Sequence, residues 1–108
     1  MALAQTVWNF TGTTTGDGSP KLTPDPNVAC SMVFQVVLAS TGTLTINGWV
    51  DGATAVALNA TNLHDGTTTN SITASGLYRV DATGVVAVWP NVSANGSGIV
   101  VTAQQVQG

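Results

Sequence analysis

The chain has 108 residues, enough to close one hydrophobic core and therefore one domain. Its hydrophobic share of 44% is ordinary and its mean hydropathy is positive, which excludes disorder, but only 6% of residues are charged, against about 25% in a typical soluble domain. A formal net charge of −3 with two permanent cations, Lys21 and Arg79, excludes the row of phosphate contacts that nucleic acid needs.

Strand-length runs closed by Gly, Pro, Asn or Asp recur along the chain, and no segment has the period of a helix. Gln5 to Phe10 puts Trp8 and Phe10 on one face of a first strand. Thr11 to Asn27, rich in Pro and Gly, predicts a long loop, and residues 1–27 together read as an N-terminal arm and loop that lies over a neighbour. Val28 to Ala39 alternates, with Met32, Phe34, Val36 and Leu38 on the core side and Gln35 opposite. After a turn at 40–42, Thr43 to Val50 places Leu44, Ile46 and Val50 inward and Thr45, Asn47 and Trp49 on the other, polar side.

Asp51-Gly52 predicts a tight turn, because glycine accepts positive φ without a Cβ clash, and Thr54 to Ala60 then returns as a hairpin with Val56 and Leu58 inward. Asp65-Gly66 introduces a strand over Thr67 to Thr73, and Leu77 to Asp81 turns Tyr78 and Val80 to the core. Val85 to Trp89 is apolar on both faces, as expected of a strand covered on both sides, here by a neighbouring subunit, with Pro90 weakening its far end. Asn95-Gly96 turns into Gly98 to Gln105, with Ile99, Val101 and Ala103 inward. The pattern predicts an all-β, antiparallel sandwich of about eight strands in one domain over residues 1–108, of jelly-roll or immunoglobulin-like type, with a barrel as the alternative.

The chemical inventory is thin: one cysteine, one histidine, no glutamate and five aspartates. A Cys30, His64 and aspartate triad has nothing in the sequence to bring it together, and Cys30, in an apolar run, reads as a small buried hydrophobe. The Asp-Gly aspartates are explained by their turns, and no spacing matches a calcium loop. The expectation is therefore no enzyme, no metal and no cofactor. The Asn-x-Ser/Thr triplets at Asn9, Asn59, Asn91 and Asn95 are composition without a secretory start, and Met-Ala-Leu-Ala-Gln-Thr-Val has neither a basic nor a long apolar region, so the chain is expected to be made in a host cytoplasm. No run approaches the ~18 apolar residues of a membrane span.

Trp8, Trp49 and Trp89 are the candidates for interface or ligand contact, since indoles anchor protein interfaces and stack on sugar rings. Trp49, on a polar face, is the strongest of the three for an exposed position.

Gly48-Trp49-Val50-Asp51-Gly52, then Thr67 to Ile72, Gly76-Leu77-Tyr78-Arg79-Val80-Asp81 and Gly84-Val85-Val86-Ala87-Val88 form a rhythm over Thr41 to Thr102. This rhythm resembles patterns in tailed-bacteriophage virion proteins, among them capsid decoration (cement) subunits and tail or fibre modules. The resemblance implies a β-sandwich on the virion surface whose partners are the major capsid protein and further copies of itself, as a homotrimer or homodimer, with neither nucleic acid nor membrane. The alternative it leaves open is a tail-fibre or carbohydrate-binding module that reads a host glycan through an exposed Trp.

Overall fold

The computed structural model describes residues 5–10, 15–18, 21–23, 30–38, 42–94 and 98–107, excepting the side chains of 5, 30, 94 and 105–107. The expected turn at Asn95-Gly96, most of the 40–42 turn, the Cys30 side chain and much of the 11–27 loop lie outside these residues.

Ten strands and no helix occur among the described residues: β1 (Gln5–Phe10), β2 (Gly16–Asp17), β3 (Cys30–Val37), β4 (Thr43–Trp49), β5 (Val56–Leu58), β6 (Ala60–Asn62), β7 (Thr68–Thr69), β8 (Gly76–Asp81), β9 (Ala87–Ala94) and β10 (Ile99–Gln107). They form two antiparallel sheets, one of six strands in the order β1-β10-β3-β8-β6-β7 and one of four in the order β2-β9-β4-β5. The chain is a β-sandwich, not a closed barrel.

Alternation builds the core. In β3 Met32, Phe34 and Val36 are buried while Gln35 is exposed; in β4 Leu44 and Ile46 are buried; in β8 Tyr78 and Val80; and in β10 Ile99, Val101 and Ala103. These inner faces meet in one cluster with Trp8, Phe10, Val88 and Val92. Each large side chain removed from water contributes about 1.5–3 kcal/mol, so a dozen or so of them carry the fold. Trp8 stacks on Phe34 with ring centroids 6.2 Å apart, and the Tyr78 hydroxyl, the polar end of a core side chain, donates to the Ala74 carbonyl at 2.8 Å.

Several elements differ from the sequence expectation for local reasons. Val50 was expected inward, but β4 ends at Trp49 and Val50, in the bend beyond, is 69% exposed; Gly48 takes the last inward position instead. The β4–β5 hairpin forms, with Gly48 opposite Val56, but its connection spans 50–55. There the Asp51 carboxylate accepts from the amides of Ala53 and Thr54, a side-chain-closed turn in place of a two-residue one. The strand expected over Thr67 to Thr73 shrinks to β7, because Ile72 leaves that sheet and exchanges two backbone hydrogen bonds with Leu44 of the facing one, at 2.7 and 3.0 Å.

Pro90 sits inside β9, not at a weakened end. The carbonyl of Pro90 accepts from Gly18, so this residue's missing N–H faces the two-residue β2 and no hydrogen bond to β4 is lost. Of the 1–27 segment, β1 belongs to the six-stranded sheet, and β2 with the Leu22–Val88 bridge runs along β9 of the other.

Candidate functional site

The sequence singles out the tryptophans, and the sandwich brings two of them together on the outer face of the four-stranded sheet. Along β9 the even positions Val88, Pro90 and Val92 turn inward, which sends Trp89 and Asn91 outward. Along β4 the outward positions are Thr45, Asn47 and Trp49. Register places Asn47 opposite Trp89 and Thr45 opposite Asn91, so a polar row runs beside an aromatic corner.

The outward face of β9 expected to be covered by a neighbouring subunit is covered from within this chain. Residues 16–18 and Leu22 run along β9 through the bonds Gly18 N–H to Pro90 O (2.7 Å) and Leu22 N–H to Val88 O (2.8 Å). Leu22 packs toward the core, and its neighbour Lys21 lies on the outer side. Its ammonium stands 4.9 Å from the Trp89 ring centroid and 5.5 Å from that of Trp49, while the two indoles meet edge to face at 4.6 Å. Trp89 is fully buried beneath this lid and Trp49 is half-buried. Asp17 completes the cluster: one carboxylate oxygen accepts from the Trp89 indole N–H at 2.8 Å and from the Asn91 amide at 2.7 Å.

Trp8 lies in β1 of the other sheet. It is a core residue, and Gly18 lies against it so closely that a Cβ there would stand 2.8 Å from the Trp8 ring and 2.9 Å from Pro90. Lys21, Asp17 and Asn91 are the members of the corner that sequence reasoning missed. The signal available was the alternation Asp17, Gly18 against Val88 to Asn91, legible only once the two segments are known to pair.

The electrostatics are those of structure. The Asn91 amide above all, helped by the Trp89 indole and the Lys21 ammonium, holds the Asp17 carboxyl below the usual carboxylate range against a smaller opposing effect of partial burial. Asp51, Asp65 and Asp81 are lowered in the same direction, chiefly by backbone N–H donors at Thr54, Thr67 and Thr83. These carboxylates bind their own turns. His64 stands exposed at the Asp65 turn.

A carboxyl with a depressed folded-state pKa stabilises the fold when charged. Its contribution is complete above its unfolded titration, near pH 4, and is lost as pH falls through the lower folded values. The midpoint of urea unfolding is thus expected to be level from pH 7 to about 5 and to fall below about pH 4. Asp17→Asn should make that fall shallower; an equally steep fall in this variant would remove Asp17 from the account.

In the described residues, then, the site is an aromatic and ionic clasp that holds residues 16–18 and 21–22 to the sheet, with one half-exposed indole at its rim. No known family model matches the chain, and no curated protein matches it in sequence. Among solved structures it is similar to the SPBc2 prophage-derived protein YomS, at 15% identity and a TM-score of 0.72 over 100% of this chain and 96% of that one. It is also similar to the PBSX exported protein XepA, at 14% identity and a TM-score of 0.72 over 98% of this chain but only 39% of that one. The chain shares its sandwich fold with a prophage-derived protein and with part of an exported one.

Proposed function

We propose that the chain is a structural protein of a bacteriophage, and specifically a capsid decoration or cement protein that binds the outer surface of the shell through the major capsid protein. The observation that carries the reading is its surface: Val7, Val37, Val50, Val56, Leu63, Leu77 and Val86 are each more than two-fifths exposed on a chain with so little charge. Exposed apolar side chains with few charges between them suit protein contact. The aspartates at 17, 51, 65 and 81 are engaged as caps and clasps, which leaves them poor candidates for acid–base chemistry. The fold shared with a prophage-derived protein supports the phage setting.

Trp49 favours a second reading, a tail-fibre module for a host glycan, because it is the one partly exposed indole and stands beside Asn47. Lys21 and Trp89 already engage its ring, which weakens it as a stacking platform.

The test is direct. Purified virions of the source phage should contain the chain, and shells lacking it should rupture at lower temperature and under milder osmotic shock. Shells equally resistant with and without it would refute the cement role, and sugar binding abolished by Trp49→Ala would replace it with the glycan reading.

A further inference from the structure

β1 ends the six-stranded sheet, β2 ends the four-stranded one, and the two edges lie on the same side of the sandwich. Between them runs a groove of about 280 Å³, lined by Val7, Trp8, Asn9 and Phe10 of β1 and by Asp17 and Gly18 of β2. Side chains on a face of a strand alternate, so four consecutive residues line one hollow only along the backbone edge. The edge that β1 turns to the groove is the one opposite β10.

The pairing identifies the groups that stand there. Successive residues of an antiparallel strand turn their N–H and C=O alternately to one neighbour and to the other. The Phe10 carbonyl accepts from Gly98 at 3.1 Å, so the backbone of Phe10, Trp8 and Thr6 faces β10, and that of Val7 and Asn9 faces the groove. The same parity carries across the sheet: Val100 pairs with Val37, Val36 with Gly76, and the Leu77 carbonyl on the far side accepts from Leu63 at 2.9 Å. The N–H and C=O of Val7 and Asn9, four groups spaced as a ladder requires, bond to no described residue. Gln5–Phe10 also lacks the devices that blunt an edge, with no charge, no proline and no register shift against β10.

We infer that this edge accepts an extended segment of a partner protein, which joins the six-stranded sheet beyond β1. An extended backbone is the ligand whose donors and acceptors match this spacing. Two residues of the segment, opposite Val7 and Asn9, exchange backbone hydrogen bonds with them, and the residue between turns its side chain inward toward β2. That side chain is uncharged, because the Asp17 carboxylate is engaged by Trp89 and Asn91 and no other charged residue lines the groove. With β2 as the far wall a bare segment fits, whereas the edge strand of a second copy would bring its own β2 to the same place. The inference rests on the reading of the chain as a shell-binding protein and adds the way it holds its partner.

The test uses the full chain and purified shells of the source phage that lack it. In the bound chain the amides of Val7 and Asn9 should exchange hydrogen at least about tenfold more slowly than in the free chain. Val7→Pro and Asn9→Pro each remove one groove-facing N–H and no bond to β10, so each should keep the wild-type circular dichroism spectrum and bind shells at least about tenfold more weakly. Thr6→Pro, which breaks a bond to β10, should instead lower the melting temperature. Unprotected Val7 and Asn9 amides in the bound chain, or folded proline variants that bind as the wild type does, would overturn the strand contact and leave the virion reading standing. Should neither proline variant fold, the exchange measurement alone decides. Protection that appears without shells and grows with protein concentration would overturn the partner segment in favour of a second copy. Shells that fail to bind the wild-type chain would overturn the virion reading, and this contact with it.

Discussion

Trp89→Ala is expected to lower the melting temperature by at least about 12 °C and to leave the protein partly unfolded near 37 °C. The indole is wholly buried, and truncating a buried Trp costs about 3–5 kcal/mol out of the roughly 5–15 that a domain of this size possesses. At about 4–8 °C per kcal/mol for a chain near this length, the lower end of that range gives the stated shift. More than volume is lost. The Asp17 carboxylate loses one of its two side-chain donors and Lys21 loses the nearer of its two rings, so the clasp opens from both sides. Trp89→Phe keeps one aromatic ring in the site while removing the N–H and part of the buried volume, and should cost less than Trp89→Ala, about 1–3 kcal/mol. Calorimetry on both variants decides the matter, and a Trp89→Ala melting point within about 3 °C of wild type would show that the indole is not a keystone of the sheet.

Gly18→Val should be nearly as damaging, by overfilling. The new Cβ alone would stand 2.8 Å from the Trp8 ring and 2.9 Å from the Pro90 ring, one in each sheet, and neither ring can bend away. Strain of this kind costs about 1–3 kcal/mol, and the cheapest escape is to lift residues 16–18 off β9. Lifting them carries Asp17 away from Trp89. The two sites should therefore couple: in a double-mutant cycle measured by urea denaturation, Trp89→Phe should cost less in the Gly18→Val background than in the wild type. Strict additivity would mean that the strand stays in place. Gly76→Ala is the control, because its Cβ would find the Tyr78 ring at 3.6 Å, an ordinary contact, and its effect should lie within about 0.5 kcal/mol.

Alternation made the centre of the fold legible. Met32, Phe34 and Val36 in β3, Tyr78 and Val80 in β8, and Ile99, Val101 and Ala103 in β10 stand on the core side as their period of two requires. Where period and strand length part company the sequence misleads, as at Val50, whose parity is inward but whose strand has ended. Ile72 misleads differently: its two backbone bonds to Leu44 come from a chain crossing between sheets, which no local pattern encodes. The clasp was half legible. Trp49 was identifiable on an outward polar face, but the burial of Trp89 depends on Asp17 and Lys21, more than 60 residues away in sequence, inside a stretch that reads as loop.

The placement of β10 also has a consequence in time. Val101 faces Trp8 of β1 on one side and Val36 of β3 on the other, so among the described residues β1 is linked to the rest of the six-stranded sheet through β10. A ribosome must therefore deliver Ile99–Gln107 before Gln5–Phe10 can join its sheet, and until then an uncharged, proline-free strand bearing Trp8 and Phe10 waits unpaired. Closing so long a loop puts refolding in the millisecond-to-second range typical of all-β sandwiches, and it makes the nascent chain a client for holding chaperones in proportion to how slowly translation reaches β10.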